Sequence, residues 1–256
     1  MARNTQTSPI TRLNALATTH RVAGGFRFEL ATAKRIRSAV PGSTVNDVFL
    51  AVVGGGLRRY LESTDDLPEK SLMASVPISM RTEKEAGLPG NMISMMIVSL
   101  GTDIADPVER LRVIQQSTAR SKEVGNAVEA RTLAESGQLM PGALIGLAAR
   151  SITASGVRGV TAQLGNICVS NVPGSQVPLY LCGARMTSYY GLGPVYDHLG
   201  PLHMVVSYLG YIHLSVTTCR EVVADIDHYL AGLEASLAEL AVAAGTEATI
   251  ADAPKR

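Results

Sequence analysis

Apolar residues recur at helical spacing in the stretch STVNDVFLAVVGGGLRRYL, Ser43 to Leu61: Val45, Val48, Phe49, Val52, Val53 and Tyr60 fall on one stripe. A core-facing helix is therefore predicted from Val45. Thr44 supplies its N-cap, and Asp47, three residues on, completes a capping box and favours the positive helix end. Asn46 is not accounted for in this way. It neighbours Leu50 and Val53 one and two turns on, so it turns toward buried surface, where an unpaired amide costs about 1–3 kcal/mol. Gly54, Gly55 and Gly56 each cost a helix about 1 kcal/mol relative to alanine. Such a run points to close approach by another backbone or a ligand, with packing against a sheet the simpler cause.

The same reading extends along the chain. Residues 1–25 read as an extended lead-in ending at Gly24-Gly25, FRFEL as a short strand and ATAKRIRSAV as a short amphipathic helix. SLMASVPISMR alternates: Leu72, Ala74, Val76, Ile78 and Met80 share one face, and Ser75, Pro77, Ser79 and Arg81 the other. NMISMMIVSL is apolar on both faces, as a central strand would be. Asp106-Pro107-Val108-Glu109 starts a polar helix expected to reach about Val124, and Gly142 to Ser155 reads as a more buried helix. GNICVSNV and PLYLCGARMTSYY flank the turn PGSQV, while LHMVVSY and YIHLSVTT form a hairpin around Leu209-Gly210. A last helix starts at Asp225 and buries Ile226, Leu230, Leu233, Leu237 and Leu240; the tail 245–256 is expected to fray. Helices and strands mix without strict alternation. The expected class is α/β, a mixed sheet flanked by helices, with residues 26–244 as one domain.

Composition removes several function classes. Across 256 residues, 23 Lys plus Arg balance 22 Asp plus Glu, which gives no electrostatic footprint for nucleic acid. The 3 cysteines lack C-x-x-C spacing, so neither a zinc site nor a disulfide framework is expected, and a reducing compartment fits. The start MARNTQTSPITRLNALATTH lacks an apolar signal core, and PGALIGLAARSITAS is too short to span a bilayer and contains Arg150. The chain has no G-x-S-x-G elbow and no phosphate-binding loop ending in Gly-Lys-Ser/Thr; GLGPVY lacks the last glycine of a dinucleotide fingerprint. The 5 histidines, His20, His198, His203, His213 and His228, stand singly. Arg81 ends a strand, able to reach an anion, and Asn171-Val172-Pro173-Gly174 ends another in a turn suited to proline and glycine.

In chain order, STVNDVFLAVVGGGLRRYL, SVPISMRTE, GNMISMMIVSLGTDIADPVERL, ICVSNVPGSQVPLYLCGA and GPLHMVVSYLGYIHLSVTTCREVVADID resemble the C-terminal half of the bacterial bifunctional wax ester synthase/diacylglycerol O-acyltransferase family. The likeness runs from about Leu13-Asn14 to the last helix. It implies a fold like the CoA-dependent acyltransferases, in which two similar α/β halves enclose a solvent tunnel. It also implies transfer of a fatty acyl group from acyl-CoA to diacylglycerol or a long-chain alcohol, giving triacylglycerol or wax esters. No cofactor, metal or covalent acyl-enzyme is implied; acyl-CoA is a co-substrate. By resemblance, Asn46 and Asp47 support the active site, while Arg81, Asn91, Asn171, Pro173 and Gly174, with Gly90, occupy recurrent positions on the substrate side.

One departure shapes the functional expectation. The family's general base is a histidine in H-H-x-x-x-D-G, and no His-His pair occurs in this chain; HRVAGG at His20 lacks the second histidine and the aspartate. A hydroxyl nucleophile is weak without a base to take its proton. The expected partner is thus an N-terminal half carrying that motif, in another polypeptide or in upstream sequence, so that this chain would be a truncated product, a split subunit or an excised domain. The alternatives are a noncatalytic lipid-binding or partner-docking module, and a stand-alone enzyme using His20 or His203. A cytoplasmic protein, peripheral to the inner membrane or to lipid inclusions, is expected from the insoluble substrates.

Overall fold

The computed structural model describes residues 8–79, 93–135 and 165–251. The elements are β1 (Arg21–Glu29), α1 (Leu30–Arg37), α2 (Val45–Ser63), β2 (Met73–Ser79), β3 (Ile93–Ser99), α3 (Pro107–Glu135), β4 (Ile167–Val172), β5 (Tyr180–Leu181), β6 (Ala184–Arg185), β7 (Leu202–Tyr208), β8 (Tyr211–Cys219), α4 (Ile226–Ala243) and β9 (Ile250–Ala251). Seven strands form one sheet in the order β3-β2-β4-β7-β8-β1-β9, and β5 and β6 form a separate hairpin. The β2–β4 and β4–β7 pairs are parallel and the other pairs antiparallel, so the sheet is mixed, as expected. Leu209 (φ 47°) and Gly210 (φ 81°) both adopt the left-handed conformation, the two-residue turn that matches strand twist and fixes the β7–β8 register.

Helices cover one face of the sheet. Ile212, Leu214 and Val216 of β8 join Ala74 and Val76 of β2, Ile167 and Val169 of β4, and the apolar stripes of α2 and α4 in one core. The opposite face of β1, β7 and β8 is covered by the strap 186–193. Ser215 Oγ donates to the Gly191 carbonyl (2.5 Å), Tyr208 Oη donates to the Met186 carbonyl (3.0 Å), and Arg27 Nη1 donates to the Thr187 carbonyl (3.1 Å).

The glycine run has a structural answer. A Cβ on Gly54 would lie 2.2 Å from the Leu100 carbonyl oxygen, one on Gly55 2.1 Å from Ser236 Oγ and 2.5 Å from Arg110 Nη1, and one on Gly56 2.4 Å from Leu233 Cδ2. Three successive glycines thus admit the end of β3, a buried guanidinium and α4 against one helix, so the approach is by protein and not by a ligand. Arg110, 2 % exposed, donates Nε and Nη2 to the Ile104 carbonyl and Nη2 to that of Ala105, which satisfies a charge that burial would otherwise penalise.

Several sequence expectations are corrected. The lead-in does not extend to residue 25: β1 begins at Arg21 and pairs with β8 over its whole length, from Arg21↔Cys219 to Glu29↔Tyr211. Gly24 and Gly25 read as a loop because they lack side chains; in the sheet they give room to Leu230 Cδ1 and the Leu214 carbonyl, each 2.5 Å from a notional Cβ. Further upstream Leu13 is buried, and Asn166 Nδ2 bonds Pro9 O (2.6 Å) and Asn14 Oδ1 (2.9 Å). The tail does not simply fray, since Ile250 and Ala251 pair with Phe28 and Arg27. β3 pairs with β2 alone among the described residues, an edge position; its apolarity on one face answers to α3, where Ser121 Oγ donates to the Ile97 carbonyl, while Met95 stays exposed. On the polar face of β2, Ser75 is fully buried and Pro77 half-buried. α3 continues to Glu135, beyond the expected end near Val124. The helix expected at 142–155 lies outside the described residues.

Gly54→Ala, which on an exposed helix would stabilise by about 1 kcal/mol, should here destabilise by about 1–3 kcal/mol, the range for overpacking a core. Urea denaturation monitored by circular dichroism measures the sign.

Candidate active site

The N-terminus of α2 is clamped by Asp47. Its Oδ2 accepts from the Thr44 backbone amide (2.7 Å) and from Thr44 Oγ1 (2.8 Å), and the Asp47 amide returns a bond to Thr44 Oγ1 (3.3 Å), the capping box read from the sequence. Its Oδ1 accepts from Thr118 Oγ1 of α3 (2.7 Å). The carboxylate is 1 % exposed and both oxygens are engaged in the fold. Asn46 differs: it is half-buried, and its amide makes no hydrogen bond among the described residues.

Contacts along α2 set its direction. Asp47 meets Thr118, which lies one residue from the Ser117 hydroxyl bonded to the Ser99 amide; Gly54 packs on the Leu100 carbonyl, and Arg58 Nη1 donates to the Thr102 carbonyl (2.9 Å). The helix therefore runs in the same sense as β3, and its N-terminus points to the sheet edge where β3 begins and β2, β4 and β7 end.

The sheet opens at that same edge. β2 and β4 pair only at Ala74↔Ile167 and Ser75↔Cys168, whereas β2–β3 continues to Ser79↔Ile93 and β4–β7 to Val172↔Val206. The two central strands thus part toward their C-terminal ends. By alternation from the core residues Ala74 and Ile167, the faces toward the helices bring Val76 and Ile78 to one side of the split and Val169 and Asn171 to the other. The Asn171-Val172-Pro173-Gly174 turn lies at the mouth. The Gly174 amide donates to Ser207 Oγ (3.3 Å), and a Cβ on Gly174 would lie 2.1 Å from the Ser207 carbonyl, so the turn is held tightly on the end of β7. Asn171 and Pro173 are exposed.

The α2 N-terminus, with Asn46, therefore points toward the end of the sheet that carries Asn171, Pro173 and Gly174. Asp47 is committed to the fold. Arg81, Gly90 and Asn91 lie outside the described residues.

The histidines named as alternative bases do not stand at this end. His20 precedes β1 at the opposite edge of the sheet, exposed and 2.6 Å from Glu221. The Thr18 hydroxyl and His20 together hold the Glu221 carboxyl down at about 2. His203, near the start of β7, is fully buried: Nδ1 faces the Cys168 carbonyl (3.4 Å), which leaves Nε2 to accept from Tyr229 Oη (2.8 Å). Burial lowers its pKa to about 4 and raises that of Tyr229, which keeps a neutral acceptor facing a protonated donor. His203 is thus a buried core residue, and His20 lies at the opposite end of the sheet from the Asn171–Gly174 turn. His198 Nδ1 contacts the Asn14 carbonyl (3.0 Å) and His228 Nε2 contacts Ser63 Oγ (3.1 Å), both at loop or helix ends. No helix among the described residues is long and apolar enough to cross a membrane, and no group of three or more metal-ligating side chains occurs among them.

Residues 89–241, more than half of the chain, match the model of the WS/DGAT C-terminal domain. Two Mycobacterium tuberculosis proteins named diacylglycerol O-acyltransferase are similar: one is 34% identical over 239 residues, 93% of this chain and 52% of its own length, the other 37% identical over 205 residues, 79% and 40%. The chain thus spans about half the length of the curated relatives it matches. The structure of a wax ester synthase/diacylglycerol acyltransferase from Marinobacter aquaeolei superposes with a TM-score of 0.73 at 28% identity, covering 94% of this chain and 53% of that one. A nonribosomal peptide synthetase shares the fold alone, with a TM-score of 0.57 at 13% identity over 91% of this chain and 23% of that one.

The buried His203 makes stability acid-sensitive. Its folded-state pKa, about 4, lies below its ordinary value of about 6.5, so its contribution is complete above the ordinary value and is lost as pH falls through the folded one. Urea midpoints measured from neutral pH down to this range should fall in the wild type and fall less in His203→Gln.

Proposed function

Because the chain belongs to the wax ester synthase/diacylglycerol acyltransferase family, its matched region being that family's C-terminal domain, we propose that it forms the C-terminal half of an acyl-CoA-dependent O-acyltransferase. The products would be triacylglycerol or wax esters. The observation that carries this reading is the end of the sheet where the β2–β4 split opens. There the rigid α2 N-terminus presents Asn46, an amide not used by the fold, on the side of the Asn171–Gly174 turn.

In the proposed reaction the acceptor hydroxyl attacks the acyl-CoA thioester directly. The hydroxyl oxygen bonds to the carbonyl carbon, its proton passes to a base, and the C–S bond breaks to release CoA as the thiol. The base is a histidine outside this chain, since His20 lies at the far end of the sheet, His213 faces the strap on the opposite sheet face, and His203 is held neutral and hydrogen-bonded in the core. The role assigned to this chain is to orient: Asn46 braces the reacting groups or the base, and the pinned turn walls the substrate path.

A second observation supports a partner half. Between β4 and β7 the surface carries Val177 (65% exposed), Tyr180 (62%), Leu181 (78%) and Leu192 (64%), with Val172, Leu179, Tyr189 and Tyr196 also exposed. So much exposed apolar surface in one chain segment suits a protein interface better than contact with water. We assign it to the half that carries H-H-x-x-x-D-G. Contact with a membrane or lipid surface through the assembled enzyme is part of the same reading, because the acceptors are insoluble.

Acyl transfer from a long-chain acyl-CoA to diacylglycerol, followed by CoA release, tests the proposal. The purified chain alone should show no transfer above background. Added to a separately produced N-terminal half of a relative containing the His-His motif, it should restore turnover. Activity of the chain alone would overturn the division of labour. Stable association without turnover would favour a noncatalytic docking module.

A further inference from the structure

The sheet face under the strap holds a polar cluster separate from the site above. Arg27 of β1 and His213 of β8 are direct register partners, and Tyr190 of the strap stands edge-on to His213 with ring centroids 5.1 Å apart. His213 is 1 % exposed, and neither of its ring nitrogens has a hydrogen-bond partner. Arg27 Nε and the Tyr190 hydroxyl are likewise buried and unpartnered. Buried polar groups in native interiors are nearly always paired, and four unpaired atoms on three neighbouring side chains require an explanation.

Charge narrows the explanation. Arg27 Nη1 donates to the Thr187 carbonyl and to Ser188 Oγ (3.3 Å), and its guanidinium lies 5.1 Å from the centre of the Tyr211 ring, but no carboxylate forms an ion pair with it among the described residues. Arg27 is half-buried, with Nη1 toward solvent and Nε sealed; a bridging water would supply Nε with an acceptor but no negative charge. Three donors, Arg27 Nε–H, Tyr190 Oη–H and one imidazole N–H, are thus left without an acceptor on neighbouring side chains of this face. Gly25 lets the strap lie close to the sheet: a Cβ there would lie 3.1 Å from Tyr190 Cδ1.

We propose that Arg27, His213 and Tyr190 form a binding site for a small oxyanion, a carboxylate or a phosphate, beneath the strap 186–193. The ion accepts from the three donors and neutralises Arg27, as charge-assisted bonds to a guanidinium do. Because the strap seals these atoms, entry requires it to lift. The groups facing His213 are Arg27 from β1, Tyr208 from β7 at 6.4 Å between ring centroids, and Tyr190 from the strap. Burial above all, and to a lesser degree the Arg27 charge, disfavour the imidazolium, while the nearby Val206 backbone favours it; a bound anion opposes burial and the Arg27 charge, so binding is linked to proton uptake and strengthens toward acid.

The test is thermal melting and titration calorimetry of the full chain with inorganic phosphate and, separately, acetate, each at constant ionic strength against chloride. Phosphate or acetate should raise the wild-type melting temperature above the chloride control; which one acts distinguishes a phosphoryl from a carboxyl ligand. Affinity should fall about tenfold or more in Arg27→Gln and in Tyr190→Phe. It should stay unchanged in Arg37→Gln, an exposed arginine on α1. Tyr190→Phe keeps the ring in place, so the site can be read even if Arg27→Gln fails to fold. Equal affinity in wild type and Tyr190→Phe, or no effect beyond chloride, would overturn the site.

Discussion

The contact on which the domain depends is the approach of three neighbours to one helix at Gly54, Gly55 and Gly56. A Cβ at Gly54 would collide with the Leu100 carbonyl, and Cβ atoms at Gly55 and Gly56 would displace the Arg110, Ser236 and Leu233 side chains that meet α2. The helix-propensity cost of three glycines is offset by joining β3, α3 and α4 through a single element. At its other end the same helix is held by the Asp47 carboxylate, which caps its own first turn and binds Thr118 across to α3. A helix fixed at both places is a rigid mount, and Asn46 is the polar side chain it holds out without using it.

In the proposed reaction, rigidity of the mount matters because catalysis by orientation tolerates little error in position. The two sheet faces contribute differently. On the helical side β2 parts from β4 toward the end of the sheet that carries the pinned Asn171–Gly174 turn, the end toward which the α2 N-terminus points. On the other side a strap lacking regular secondary structure is drawn onto β1, β7 and β8 by Arg27, Tyr208 and Ser215, and it carries apolar side chains outward. The chain thus has a finished core together with an unspent amide and exposed apolar surface. That combination fits half of a composite active site.

Much of the fold was legible in the sequence because its signals were local. Thr44 with Asp47, Asp106 with Glu109 and Asp225 each announced a helix start through side chains that bond the next turn, and Leu209-Gly210 announced a hairpin through its turn chemistry. The misreadings came where neighbours from distant sequence decide. Gly24-Gly25 signals a loop in isolation, yet β8 and α4 make it strand; NMISMMIVSL signals a central strand, yet α3 supplies the burial that a second flanking strand would have given. The candidate site was legible only in pieces. Asn46 could be flagged for lacking a local role, but its relation to the Asn171 turn depends on the sheet order. The Arg27–His213 pair could not be seen at all before the β1–β8 register was known, since 186 positions of sequence separate residues that face each other.

The central claim is that Asn46 serves the reaction while Asp47 serves the fold, and steady-state turnover paired with thermal melting separates the two most directly. With the chain joined to a His-His half, Asn46→Ala should lower kcat about tenfold or more while the melting temperature of the chain holds, and Asp47→Ala should lower the melting temperature. An Asn46→Ala assembly that turns over like the wild type would contradict the account.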